Sequence, residues 1–450
     1  IAPNLENGDV TLTLEAAGGV DINSMINASG TDKLNLAIDA GGAVTIDGFI
    51  HTNAGTFTSE GTTFRNTSQI TTRGGAINLS NHTGTITFDS SISTVPDSGT
   101  GASFTSGGTD LTINQTLSTG GGSIAFNNTG DIVVAANLDS SGSTAGSVSV
   151  SDAANSVNIS ANITAGGNMN FGDNSVTLSG SGRSLTNSGT QSITFGGTLD
   201  GDSSAGDDAI TINSGSGGVT FANNVGSTDS LETLTIDSDG SVDFDGIIAV
   251  AGNIDIDGTT ASFDNTVSTT AGGTFTLTNS GTATFVGAAD LNLDGAFHQD
   301  GSGGVSTAGD ITTTGDGITF DGALSLIGDI SLDTTSGSAA GANITLNSTT
   351  TGAAALTANS GTGGTATFVG AVGSTPLTGL TVDASATNFD NTVAVAGNIV
   401  IDTATGSFDN TLTTTGTGTV TITNSGGLTI ADAADMTLAG FFKQDGAGAV

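Results

Sequence analysis

Ala251-Gly-Asn-Ile-Asp-Ile-Asp257 returns as Ala396-Gly-Asn-Ile-Val-Ile-Asp402, and the match continues without a gap from Ala251–Val305 to Ala396–Val450. The offset is constant throughout, and 33 of the 55 positions are identical. Ser262-Phe-Asp-Asn-Thr matches Ser407-Phe-Asp-Asn-Thr, Thr278-Asn-Ser-Gly matches Thr423-Asn-Ser-Gly, and Gln299-Asp-Gly matches Gln444-Asp-Gly. A looser match extends this upstream, so that residues 226–305 correspond to 373–450. A long internal copy is the signature of an array built by stacking. Val450 aligns with Val305, after which the first copy runs on into more repeat sequence. Residues 1–450 are therefore expected to be one continuous segment of a longer repeat protein.

Inside the copy, apolar and polar residues alternate in short runs, as in Ile254-Asp-Ile-Asp, Phe275-Thr-Leu-Thr and Val420-Thr-Ile-Thr. The same pattern fills the rest of the chain, as in Val10-Thr-Leu-Thr-Leu and Leu34-Asn-Leu-Ala-Ile. Clusters of Gly, Asn, Asp and Ser separate these runs. This predicts short half-buried strands joined by corners. No sustained i, i+3, i+4 apolar pattern predicts a helix. Phe supplies an uneven ruler: Phe221, Phe244, Phe263 and Phe285, then Phe368, Phe389 and Phe408, recurring after about 20 residues each time. Phe88, Phe126, Phe171 and Phe195 extend it more loosely. A step of that size holding two or three short strands is one coil of a β-solenoid, and the block reads as about seven coils. About 20 coils at the ~4.8 Å strand spacing give a rod on the order of 100 Å long.

Composition agrees. Gly is 71 of 450 residues and Pro only 3, so the chain is neither collagen-like nor a Pro-rich linker. Regularly spaced β-branched and aromatic residues argue against disorder. Gly and Asn suit the positive-φ corners, and Thr, Val and Ile suit the pleated faces. The net charge is −38, with 43 acids against five bases: Lys33, Arg65, Arg73, Arg183 and Lys443. No basic surface for DNA, RNA or anionic lipid can be assembled from these. With no Cys there is no disulfide framework. No apolar run approaches the roughly 20 residues of a membrane helix, so membrane insertion is not expected.

Gly8-Asp-Val-Thr-Leu-Thr-Leu-Glu-Ala-Ala-Gly-Gly-Val-Asp-Ile-Asn-Ser-Met-Ile-Asn-Ala and Ala43-Val-Thr-Ile-Asp-Gly-Phe-Ile-His-Thr-Asn-Ala-Gly resemble the repeats of filamentous-haemagglutinin-type exoproteins. Phe368-Val-Gly-Ala-Val-Gly-Ser-Thr-Pro-Leu-Thr-Gly-Leu-Thr-Val-Asp resembles a second form, found in very large bacterial surface proteins built of β-strand repeats. The resemblance implies a right-handed parallel β-helix, export from a bacterium, and a role in adhesion or surface structure.

Candidate chemistry is sparse. Asp237-Ser-Asp239-Gly-Ser-Val-Asp243 has the look of a calcium loop but lacks the full ligand spacing and the closing Glu. Asp237, Asp239 and Asp243 are the candidate ligands, for structural calcium alone; no other cofactor is expected. Asp255, Asp257 and the run Asp200–Asp208 are weaker versions. The solvated-corner reading of all these acids stands beside the metal one. His51, His82 and His298 are far apart and are expected at the surface, and His298 is replaced by Lys443 in the second copy. A solenoid polysaccharide-degrading enzyme would need bases among clustered acids, so that reading is remote. Thr-X-Thr runs could form an ice-binding array, but the uneven coil spacing breaks the alignment. The Asn-X-Ser/Thr sites (Asn27, Asn66, Asn78, Asn81, Asn114) arise readily by chance in such sequence.

The expectation is thus an all-β, parallel β-solenoid with coils of roughly 19–26 residues. It would serve as a non-enzymatic part of an extracellular, bacterial cell-surface fibre or adhesin stalk. Its partners would be itself or neighbouring solenoid segments, end to end. The other reading is an adhesin for surface glycans or a host receptor. Its binding surface would lie on irregular insertions such as the one opening at Ser93-Thr-Val-Pro-Asp or Ser336-Gly-Ser-Ala-Ala-Gly-Ala.

Overall fold

The computed structural model describes residues 9–203 and 208–450. All regular structure among them is β-strand, with no helix. Each strand pairs in parallel with strands one coil away, so the fold is a parallel β-solenoid. The residues form two compact units. One comprises residues up to Leu231 plus Ile236–Gly240, the other Glu232–Thr235 plus Ser241–Val450.

In the first unit each coil has three faces. Face one begins with Val10–Ala16, Leu34–Ala40 and Phe57–Gly61; face two with Val20–Ile22 and Val44–Ile46; face three with Ile26–Asn27 and Ile50–His51. Coil length is uneven. The advance in register from Val157 to Val176 is among the shortest, and that from Ile77 to Phe104 among the longest. The latter exceeds the expected range because the loop after Ser93 lies within that coil. In the second unit the step from Ile248 to Val267 is short and that from Ile318 to Ile344 long.

The alternation seen in the sequence becomes inside and outside. Ile254 and Ile256 are fully buried while Asp255 and Asp257 between and beyond them are exposed. Fully burying each such aliphatic side chain contributes about 1.5–3 kcal/mol, before the entropy of ordering is set against it. Phe rings add contact between coils. Phe244, Phe263 and Phe285 stack with centroids 5.4 and 4.5 Å apart, and Phe368, Phe389 and Phe408 at 4.6 and 5.0 Å. These spacings follow from strands about 4.8 Å apart carrying the same ring in register. Early in the first unit the ruler breaks down. Phe64 and Phe88 sit on face two and Phe104 on face one, and they meet edge to face instead.

The Gly-Asn-Ile grammar has a physical cause. A Cβ on Gly273 would lie 2.1 Å from the carbonyl oxygen of Gly252 one coil below, and a Cβ on Gly418 would lie 2.1 Å from that of Gly397. Only Gly permits that approach. The neighbouring Asn253 Oδ1 accepts from the Thr274 N–H at 3.0 Å, and Asn398 Oδ1 from the Thr419 N–H at 3.0 Å. Each side chain extends the parallel ladder just past the strand, where the backbone has already turned away. Thr closes the preceding corner: Thr269 Oγ1 donates to Gly273 O at 2.6 Å, and Thr414 Oγ1 to Gly418 O at 2.9 Å.

Ala251–Val305 and Ala396–Val450 both lie in the second unit, whose faces one, two and three include Thr260–Phe263, Val267–Thr269 and Phe275–Asn279 respectively, and the copies do not lie on the same face. Ala261 pairs with Ala283, and the line continues through Val305, Leu324, Thr350 and Val372 to Val393. That line is six coils along face one. Gly406, the copy of Ala261, lies two strands further on, on face three between Thr387 and Leu428. The block therefore measures six coils and two strands, not seven coils. The shift holds throughout. Val267 on face two becomes Leu412 on face one, and Phe275 on face three becomes Val420 on face two. All four side chains are fully buried. The three faces thus offer one kind of environment, so the same sequence packs on any of them.

Candidate functional site

Asp237 closes the strand Thr233–Asp237 with an exposed side chain, and Asp239 is exposed just beyond it. Asp243 is half-buried in the strand Ser241–Phe244. Asp237 and Asp239 belong to the first unit and Asp243 to the second. Burial holds the Asp243 carboxyl above its usual range, and the carboxylates of Asp245 and Asp264 add to this against a hydrogen bond from Ser262. Among the described residues no three His, Asp or Glu side chains converge as metal ligands would. Part of the run Asp200–Asp208 lies outside the described residues.

Two shallow troughs concentrate carboxylates. One, of about 450 Å³ in the second unit, is lined by Asp383, Ser385, Asp402, Thr403, Thr423 and Asn424. Asp383 and Asp402 are directly in register on adjacent strands. Loss of surrounding water, and then the Asp402 carboxylate alongside, raise the Asp383 carboxyl above the usual range. The other, of about 300 Å³ in the first unit, holds Glu15, Asp39 and Glu60 in register, with Asn78 and Asn81. No Lys, Arg, His or aromatic residue is among the described residues lining either trough. Like charges one strand apart oppose the pairing they ride on. The troughs offer acceptors and hydroxyls, with no cation to stabilise developing negative charge.

Four of the five Lys and Arg side chains are engaged elsewhere. Arg65 Nε lies 2.6 Å from Asp89 Oδ2, Arg73 3.2 Å from Asp97, and Lys443 2.6 Å from Asp445. Arg183 opens the strand Arg183–Asn187, and its Nε donates to Ser179 O at 3.0 Å. His298 Nε2 is 3.3 Å from Asp321 Oδ2, so both His298 and its copy Lys443 sit beside a carboxylate. His51 Nδ1 is 2.7 Å from Asn27 Oδ1; burial first, then Arg73, lower its pKa, partly opposed by Asp97. His82 differs from the surface expectation: it is buried inside the coil against Ser59. Of the Asn-X-Ser/Thr sites, Asn66 is also fully buried, its amide donating to Ser68 O and Ser90 O.

Sequence reasoning missed the in-register acids and the His82–Ser59 contact. Two of the acids had a signal, since Glu15 and Asp39 follow the starts of their runs, Val10 and Leu34, by the same count, whereas Glu60 stands closer behind Phe57. These features define a parallel β-solenoid protein with an acidic, largely hydroxylated exterior. Comparison with protein-family models, with curated proteins and with solved structures gives no match.

Proposed function

We propose that this chain is a structural component of a bacterial cell-surface fibre or adhesin stalk, of the kind its resemblance to filamentous-haemagglutinin-type repeats implies. In this reading it works outside the cell without catalysis and without a resident cofactor. The observation that carries the reading is the one-face shift between the two copies. A duplicated binding or catalytic surface would serve best if both copies faced the same way. Here inward residues such as Ile254 and Phe263 and the corner Gly252 and Asn253 are shared, and other inward positions exchange one apolar residue for another, as Val267 for Leu412. Shared outward residues such as Asp257 and Thr276 lie on different faces in the two copies. Duplication has kept the pattern of the coil without keeping any one surface facing the same way. Strand edges at the end of a solenoid invite further strands, so the natural partners are neighbouring solenoid segments, end to end. The charge of −38 keeps such a surface soluble and disfavours nucleic acid as a partner.

The adhesin reading is supported by one further observation. Ser336–Ala340 forms an exposed loop, and Asp97–Thr100 another, each within one of the longest coils of its unit. Electron microscopy of the isolated protein separates the two. Smooth continuous fibres support the structural role; short separate particles that bind glycans or cells through these loops support the adhesin.

A further inference from the structure

His82 ends the strand Ile77–His82 on face one of the first unit. Strict alternation from Ile77 would point it outward. A slip in register between Asn78 and Asn81 against Phe57–Gly61 turns it inward instead. Its side chain is then 3% exposed. Nε2 lies 3.0 Å from the hydroxyl of Ser59, itself 3% exposed, and the ring meets Phe64 edge to face at 5.5 Å. Nδ1 is buried with no hydrogen-bond partner among the described residues.

The charges on the surrounding elements face elsewhere. On the strand Phe57–Gly61, Glu60 accepts from Asn81 Nδ2 at 3.2 Å on the outer side. On the strand Phe64–Asn66, Arg65 is held by Asp89. Asp110, beyond the Gly107–Gly108 corner stacked above, takes the Thr85 hydroxyl at 3.4 Å. A neutral imidazole finds one partner here. An imidazolium would bring a second N–H with no acceptor and a charge with no carboxylate to meet it.

We propose that His82 is an acid-sensitive release point, and that its protonation opens the coils between Phe57 and Phe88 ahead of the rest of the first unit. Burial lowers the pKa of the ring to about 4 from 6.5. The folded coil therefore binds the proton less well than the unfolded chain. Its stability is full above pH 6.5 and falls as the pH drops from there towards 4.

Hydrogen exchange, corrected for intrinsic rates, tests this on the whole chain. Between about pH 7 and 4.5 the amides of Phe57–Gly61, Phe64–Asn66 and Ile77–His82 should lose at least tenfold more protection than those of Ile124–Phe126 and Asp131–Val134. His82→Asn keeps a polar side chain and cannot titrate, so it should abolish that difference; His82→Gln serves if the Asn variant does not fold. Equal loss across all five strands, or an undiminished difference in the variants, would overturn the proposal. So would a wild-type imidazole signal of His82 that titrates near its ordinary value with protection intact.

Discussion

Phe263 and Phe408 are the same residue of the duplicated block, yet they stand on different faces of the solenoid. Phe263 stacks on Phe285 at 4.5 Å along face one, and Phe408 stacks on Phe389 at 5.0 Å along face three. Both are essentially buried. The solenoid therefore reads its sequence through the inward-outward alternation and the corners, with no preference for one face.

Equivalent truncations should then cost the same. Phe263→Ala and Phe408→Ala are each expected to destabilise their own coils by about 3–5 kcal/mol. Hydrogen exchange resolved by strand is the suitable measurement, since a long repeat array need not unfold in one step. A cost confined to one of the two positions would show that the faces are not interchangeable.

The corner Gly should be intolerant where the Asn is only useful. Gly273→Ala and Gly418→Ala place a methyl 2.1 Å from a carbonyl oxygen below, so the coil must shift. A loss of roughly 2 kcal/mol or more is expected at each, read as lost protection in the adjoining strands. Asn253→Ala and Asn398→Ala remove one ladder-extending hydrogen bond each. Their expected cost is about 0.5–1.5 kcal/mol, with faster exchange at the Thr274 or Thr419 amide.

The acid pair makes a prediction of opposite sign to His82. The raised carboxyl of Asp383 binds its proton more tightly in the folded state than in the unfolded one. This contribution opposes folding above the folded pKa and is relieved as the pH falls through it towards 3.8. Asp402→Asn should lower the Asp383 pKa, followed by carboxyl NMR. At neutral pH it should stabilise the pairing by a few tenths of a kcal/mol, the exposed setting keeping the effect small. Unchanged titration of Asp383 would contradict the coupling.

Removal of divalent ions is expected to leave the melting temperature unchanged. Asp237 and Asp239 are solvated acids, and no convergent ligand set surrounds them among the described residues. A fall in the melt on chelation, restored by calcium, would support Asp237, Asp239 and Asp243 as ligands.

Much of this architecture was legible in the sequence. Ile254-Asp-Ile-Asp and Val420-Thr-Ile-Thr announce half-buried strands, and Gly252-Asn253 and Gly397-Asn398 announce the corners. The recurring Phe give the approximate coil length. The one-face shift was not legible. Coil length varies within the unit, as the steps Ile248 to Val267 and Ile318 to Ile344 show, and the offset between the copies could equally hold a whole number of coils. His82 was not legible either. Its inward direction depends on the slip between Asn78 and Asn81, which no alternation pattern reveals. The in-register acids depend on pairings such as Asp383 with Asp402, which require the coil lengths to be known first.

The central claim is that one sequence block packs on two faces. A side-chain-resolution crystal or cryo-electron-microscopy map, read at Phe263 and Phe408, tests it most directly. The account expects Phe263 on a strand line running through Phe285, Thr307 and Leu326, and Phe408 on a separate line running through Phe389 to Ile430. Finding Phe263 and Phe408 on one unbroken line of strands, seven whole coils apart, would contradict it.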